Sequence, residues 1–96
     1  QLKSTAFIDQ HKIQFSLELR TYREGDYFYP LGMKGKKLLS DFFIDEKIND
    51  FDKKQIPLLC SNQQIIWVAG YRIDDRYKVT DSTQKILRVD ITKVTA

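Results

Sequence analysis

Between Lys12 and Arg20 every second residue is apolar: Ile13, Phe15, Leu17 and Leu19 alternate with Gln14, Ser16 and Glu18. A period of two places successive side chains on opposite faces, so this run predicts a half-buried β-strand. The period returns near the other end, where Leu87, Val89 and Ile91 alternate with Arg88, Asp90 and Thr92. The two alternating runs are expected to be neighbours in one sheet. Between them the pattern changes. The stretch from Arg23 to Lys37 holds three of the four glycines and one of the two prolines, which predicts an extended, looping segment. Ser40 then reads as a helix N-cap, with Asp41 favourably placed for the helix dipole and Leu39 and Ile44 at the positions of a hydrophobic staple. These signals predict a helix from about Asp41 to Lys47. Asn49 predicts the cap of a second, Asp50 to about Gln55, which Pro57 closes by driving Ile56 out of the helical region.

Beyond Pro57, Leu58 to Cys60 and Ile65 to Ala69 read as buried strands joined by the polar Ser61 to Gln64. Gly70 allows a bend. Tyr71 and Ile73 alternate with Arg72; after Asp74-Asp75, Tyr77 and Val79 alternate with Arg76 and Lys78, and Thr80 to Thr83 reads as a turn. The order of strand, loop, helices and strands predicts an α+β domain with a mostly antiparallel sheet.

At 96 residues and 42% apolar composition the chain suits one domain, 1–96, with a single modest core. Six Phe, five Tyr and one Trp rule out a disordered chain. Its longest near-continuous apolar run, Ile65 to Gly70, is far below the ~18 residues of a membrane-spanning helix. No membrane partner is expected. Cys60 is the one cysteine, so no internal disulfide is available, and with His11 alone beside it there is no zinc set. A reducing, cytoplasmic setting is the expectation. The chain begins at Gln1 without an initiator Met, and is expected to be a fragment of a longer protein. A net charge of +3 permits a nucleic-acid partner without demanding one. Lys34, Lys36 and Lys37 form a cluster with no acid between Asp26 and Asp41.

No catalytic or metal-binding constellation is present. His11 reads as a surface residue and Cys60 as a buried, inert thiol. Adjacent side chains on an extended chain point apart, so Asp74 and Asp75 read as solvated charges. The stretch Gly32-Met33-Lys34-Gly35 is more informative. Two glycines three apart let the backbone come close to a partner, and successive amides can form an anion-binding nest ringed by Lys34, Lys36 and Lys37. That chemistry suits the phosphate oxygens of a nucleic-acid backbone; the alternative is a glycine-rich turn with solvated lysines. If the downstream register holds, Arg72, Arg76 and Lys78 share one side of a strand. They then make either a basic stripe or a wet sheet face whose charges pair with Asp74 and Asp75. Tyr27, Phe28 and Tyr29 can stack bases or fill a core; Phe42, Phe43, Phe51 and Trp67 read as core.

The ordered run Arg23-Glu24-Gly25-Asp26, Phe28, Pro30-Leu31-Gly32-Met33-Lys34-Gly35, Lys37, Leu39-Ser40-Asp41-Phe42-Phe43-Ile44-Asp45 and Lys47 resembles the C-terminal substrate-binding domain of bacterial tRNA(Ile)-lysidine synthetases. The resemblance continues through Pro57-Leu58-Leu59, Ile66-Trp67-Val68-Ala69-Gly70, Arg72-Ile73-Asp74 and Arg76-Tyr77-Lys78-Val79-Thr80, and spans about Leu19 to Val89. The family often has two lysines before its Leu-Ser-Asp step. Here the pair reads Lys37-Leu38, which puts one phosphate contact in doubt unless Lys36 replaces it. The resemblance implies a small sandwich-like α+β fold with two short helices, similar to a domain of the phenylalanyl-tRNA synthetase β chain. It further implies a parent ligase that converts the wobble cytidine of tRNA(Ile) to lysidine, using ATP with magnesium and free lysine. That chemistry belongs to an N-terminal domain with a Ser-Gly-Gly-x-Asp-Ser loop. No such loop occurs in this chain, so neither catalysis nor a cofactor is expected of it.

What the resemblance implies for this domain is a grip on tRNA(Ile) towards its acceptor stem, alongside contacts with other domains of the same enzyme. The RNA-binding candidates are Arg23, Lys34, Lys36, Lys37 and Arg72, then Arg76 and Lys78, with Gly32 and Gly35 permitting close approach. Asp26 and Asp41 are expected to fix the loop. Two other readings compete. One is a docking or protein-interaction domain without RNA contact, and the other is a hydrolase using Cys60 and His11.

Overall fold

The computed structural model describes residues 2–93. Along the chain run β1 (Leu2–Asp9), β2 (Leu17–Arg20), β3 (Tyr27–Phe28), β4 (Lys37–Leu38), helices α1 (Leu39–Asp45) and α2 (Asp50–Lys53), then β5 (Leu58–Ser61), β6 (Gln64–Val68), β7 (Arg72–Ile73) and β8 (Ile86–Lys93). The architecture is the expected α+β arrangement of antiparallel sheets with two short helices. Strands β2, β5, β6 and β7 form a four-stranded sheet in the order β2-β5-β6-β7. Strands β1 and β8 form a separate long ribbon, and β3 and β4 a short one.

The pairing of the two alternating runs is a correction. Strand β8 pairs with β1, Asp9 opposite Ile86 and Leu2 opposite Lys93, not with the Lys12 to Arg20 run. Strand β1 escapes a periodicity reading because its outward Phe7 is as apolar as its buried Ala6 and Ile8. The Lys12 to Arg20 run is itself divided. A 3-10 turn over Gln10–Lys12 precedes it, and the regular strand starts only at Leu17. Asp9 fastens that turn by accepting from the His11 amide at 3.1 Å and the Thr83 hydroxyl at 2.9 Å. Phe15 and Leu19, expected to face inward, are 66% and 57% exposed: Phe15 lies ahead of the regular strand, and Leu19 is on β2 at the edge of its sheet.

The central hairpin β5–β6 turns through Asn62 and Gln63, both left-handed at φ 48° and 68°, the geometry of a tight two-residue hairpin. Its register slips by one residue. Leu59 faces Trp67 and Cys60 faces Ile65, leaving Ile66 as the extra residue of a bulge. Ile66 and Trp67 therefore both join the cluster formed by Ala6, Ile8, Ile13, Leu59 and Tyr77 under the β1–β8 ribbon. Ile65 and Val68 join Phe28, Leu39, Phe42, Phe43, Leu58 and Cys60 on the helical side. Phe28 and Phe42 meet edge to face at 5.1 Å. Each such buried ring stabilises the fold by about 1.5–3 kcal/mol relative to exposure.

The cap of helix α1 is Leu38, two residues before the expected Ser40. The Leu39 amide finds its acceptor in the Asp26 carbonyl at 2.8 Å, a long-range bond that replaces a side-chain cap. Ile44 points into solvent, so the expected staple does not form. Asn49 caps α2 as expected, accepting from the Asp52 amide at 2.8 Å. Phe51 is not core: it is 74% exposed, because the flanking Ile48 and Ile56 fill the space under α2.

Candidate nucleic-acid interface

The connection between β3 and β4 carries the Gly-rich, lysine-rich segment. It leaves the fold at Tyr29 and Pro30, turns at Pro30–Met33 and re-enters at Lys37. The Met33 amide donates to the Pro30 carbonyl at 3.0 Å, with Gly32 at φ 83° in the third position of the turn, where only a left-handed residue fits. Gly35 is likewise left-handed at φ 80°. A side chain at either glycine would meet nothing within 4 Å, so backbone conformation, not room, demands glycine.

The base of this loop is bolted to β7 and the residues after it. The Leu31 amide donates to the Ile73 carbonyl at 3.0 Å, the Asp75 amide to the Tyr29 carbonyl at 2.6 Å, and Arg72 Nη1 to the Leu31 carbonyl at 3.1 Å. Asp74 is the centre of the joint. It is 0% exposed and accepts from the amides of Tyr29 (2.9 Å) and Arg76 (2.8 Å), and from Arg76 Nε and Nη2 at 3.0 and 2.9 Å. Asp74 is therefore no solvated charge, which corrects the reading of the Asp74-Asp75 pair. A buried carboxylate is tolerable only with such a full set of donors. The hydrogen bonds to Asp74 push the already high pKa of the Arg76 guanidinium further up, so it stays a cation.

A second joint holds the approach to the loop. Asp26 receives both Nη atoms of Arg20 at 2.9 Å and the Arg23 amide at 2.8 Å. Asp26 thus fixes the turn as expected. Arg20 was not among the expected site residues. Its partner lies six positions away across a turn, a pairing that no local spacing marks.

The structure brings five of the expected residues together. Lys34, Lys36 and Lys37, with Gly35, line one open groove that also includes Met33 and Asp41, and Gly32 sits in the turn leading into it. Lys36 places Nζ 4.1 Å from the centroid of the Tyr27 ring, and Lys37 pairs with Asp45. No ion pair is formed by Lys34 among the described residues. Arg72 lies at the loop base. The exposed Arg23 borders a separate depression with Arg20 and Gly25. The expected strand through Arg76 and Lys78 is not formed. Residues Asp75–Tyr77 make a 3-10 turn, so Arg72, Arg76 and Lys78 do not share a strand face. The paired alternative describes them better: Arg76 is clamped to Asp74, and Lys78 Nζ lies 3.0 Å from Asp75.

His11 is exposed, and Cys60 is buried as expected. Burial pushes the Cys60 thiol above its ordinary pKa, against the nearby Arg20 charge that lowers it, so the reactive thiolate is disfavoured. Among the described residues no group of His, Cys, Asp and Glu is placed to hold a metal, and no helix is long and apolar enough to cross a membrane.

Comparison with known proteins gives a consistent result. Residues 17–91 match the family model described as the TilS substrate C-terminal domain. The tRNA(Ile)-lysidine synthase of Parabacteroides distasonis is 47% identical over 88 residues, which is 92% of this chain and 20% of that protein. The enzyme of the same name from Caldanaerobacter subterraneus subsp. tengcongensis is 42% identical over 87 residues, 91% of this chain and 19% of that one. The chain thus spans about one fifth of the length of the curated relatives it matches. A crystal structure of a TilS C-terminal domain superposes with a TM-score of 0.78 at 24% identity, covering 96% of this chain and 72% of that one. An N-terminal fragment of the phenylalanyl-tRNA synthetase β-subunit from Pyrococcus horikoshii superposes at 0.74 and 21% identity, covering 92% of this chain and 27% of that one. These two share the fold.

Proposed function

The chain belongs to the TilS substrate C-terminal domain family, and on that premise we propose that it binds tRNA(Ile) through its acceptor stem and positions it for lysidine formation. The groove of Lys34, Lys36 and Lys37 grips phosphates, and Gly32 and Gly35, without side chains, let the loop backbone approach the strand closely. Arg72 supports the loop from its base, Arg23 adds charge on the neighbouring turn, and Arg76 and Lys78 serve chiefly as supports. An A-form stem has a deep, narrow major groove, so cations and amides reading phosphates and 2′-hydroxyls suit it better than base-reading side chains. Conversion of the wobble cytidine, with ATP, magnesium and lysine, is assigned to another domain of a longer cytoplasmic enzyme. This chain supplies binding and no catalytic group.

The observation that carries this reading is the convergence of three lysines and two left-handed glycines on one loop whose base is fixed by a fully buried carboxylate. Its test is a salt titration of binding to a tRNA(Ile) acceptor-stem hairpin. The expected log–log slope is roughly −3 to −5, in line with about that many phosphates contacted. Absence of binding at low salt would overturn it in favour of docking against other domains. That second reading has its own support in Ile44 and Phe51, 71% and 74% exposed on the two helices.

A further inference from the structure

Beside the lysine loop, two tyrosine rings stand in series between two cations. The inner end of the series is the fully buried Asp74, which fixes the plane of the Arg76 guanidinium through Nε and Nη2. That guanidinium lies 4.3 Å from the centroid of the Tyr29 ring. Tyr29 meets Tyr27 edge to face, with centroids 6.2 Å apart and planes at 78°. The outer end is Lys36, whose ammonium stands 4.1 Å from the Tyr27 centroid. Tyr27 is 43% exposed, although the next residue, Phe28, is fully buried. A partly exposed ring thus contacts Tyr29, itself packed on the clamped Arg76, and carries the Lys36 ammonium over its ring.

Cation–π attraction at an exposed site is weak, and a phosphate oxygen is a stronger partner for an ammonium group. A phosphate arriving in the groove therefore draws Lys36 off the ring. The surroundings select what replaces it. Lys34, Lys36 and Lys37 repel a cationic partner, whereas a nucleotide brings both a π face and a negative charge. Bases inside a duplex present only their edges to the grooves, so the face must come from an unpaired or terminal base. We propose that Tyr27 is a stacking platform for an unpaired nucleobase of the bound RNA, which takes the place of Lys36 as that lysine moves to a phosphate. This deepens the RNA-binding reading and rests on it.

The test uses one RNA hairpin carrying a four-nucleotide 3′ single-stranded extension, and the same hairpin with abasic nucleotides in the extension. Both probes carry the same phosphates, so the ratio of their affinities isolates stacking. The wild-type chain is expected to prefer the base-bearing probe by about tenfold, within the range for one stacked base. Tyr27→Phe keeps the ring and the ratio, while Tyr27→Ala brings the ratio close to one. A variant that only disturbs the loop would weaken both probes alike and leave the ratio unchanged. Wild-type binding with a ratio of one, or a ratio that survives Tyr27→Ala, overturns the platform while leaving the phosphate groove standing. Failure of the wild type to bind either probe removes the RNA reading and the platform together. Binding of adenosine monophosphate alone, tighter than the base-bearing probe and lost in Tyr27→Ala, would reassign the ring to a free nucleotide, against the proposal.

Discussion

Two segments of this domain look alike in composition and differ in how their charges are paired. The stretch from Gly32 to Lys37 carries three basic residues, and so does the stretch from Arg72 to Lys78. In the second, each basic side chain has an internal oxygen partner: the Leu31 carbonyl for Arg72, Asp74 for Arg76 and Asp75 for Lys78. In the first, Lys37 has an exposed carboxylate, Lys36 has a ring, and Lys34 forms no ion pair among the described residues. The second segment is a support and the first is what it supports. The difference lies in the acids. Asp74 and Asp75 stand among the basic residues of the second segment, while none stands between Asp26 and Asp41 around the first. Of the three cations in the first segment only Lys37 has a carboxylate partner among the described residues, and it comes from helix α1, outside the segment.

The largest effect should come from Asp74→Ala. It leaves the Tyr29 and Arg76 amides without their acceptor and removes the partner of the Arg76 guanidinium. Breaking a buried pair from one side costs about 3–5 kcal/mol; the 36% exposure of the Arg76 side chain puts this case near the lower end. Urea denaturation measures it. A loss below about 1 kcal/mol would mean that the backbone bonds of Leu31 and Asp75 hold the loop base unaided, and the contrast between the segments would lose its mechanism.

The next effect tests the loop from its own side. Gly35→Ala forces a β-carbon into a left-handed conformation at φ 80°, at a cost of about 1–2 kcal/mol, with no steric clash to add to it. If stability measured by thermal melting is unchanged, the loop relaxes freely and its left-handed geometry is not imposed by the fold.

How much of this was legible in the sequence varies by element, and the reasons are physical. The β5–β6 strands, the cap at Asn49 and the loop from Arg23 to Lys37 are local in origin, and local signals found them. The start of α1 depends on the Asp26 carbonyl, thirteen residues from Leu39, and a cap drawn from elsewhere in the chain leaves no local mark. The exposed Phe7 hides strand β1 from a periodicity reading, and Phe51 reads as core because an aromatic residue in a one-turn helix carries no periodicity to show which way it faces. In the candidate site the loop lysines and glycines were legible as a cluster. The burial of Asp74 was not, because an Asp-Asp pair among basic residues reads equally as surface charge until the fold closes over one member.

On the binding side, Lys34→Ala should weaken RNA binding by a similar factor for matched and unmatched stems. It should reduce the magnitude of the salt slope by about one, since a phosphate contact carries no base information. Stability should stay within about 0.5 kcal/mol of the parent. A slope identical to the parent's would take Lys34 out of the interface.

The smallest effect is expected at Lys78, and it is the sharpest check on the contrast. Lys78 and Asp75 form an ion pair at 3.0 Å across the 3-10 turn, with side chains 43% and 41% exposed. Such a pair contributes about 0–1 kcal/mol, because water solvates either charge nearly as well as its partner does. Lys78→Ala should therefore move the urea midpoint little. It should also leave the salt slope close to the parent's, since this ammonium already has a carboxylate and stands in the supporting segment. Lys34→Ala and Lys78→Ala remove the same charge from the chain, so any effect of net charge alone is common to both. If the two variants flatten the slope equally, the RNA responds to overall charge or covers both segments, and the division between support and grip fails. If only Lys34→Ala flattens it, the position of a cation, not its presence, decides what it binds.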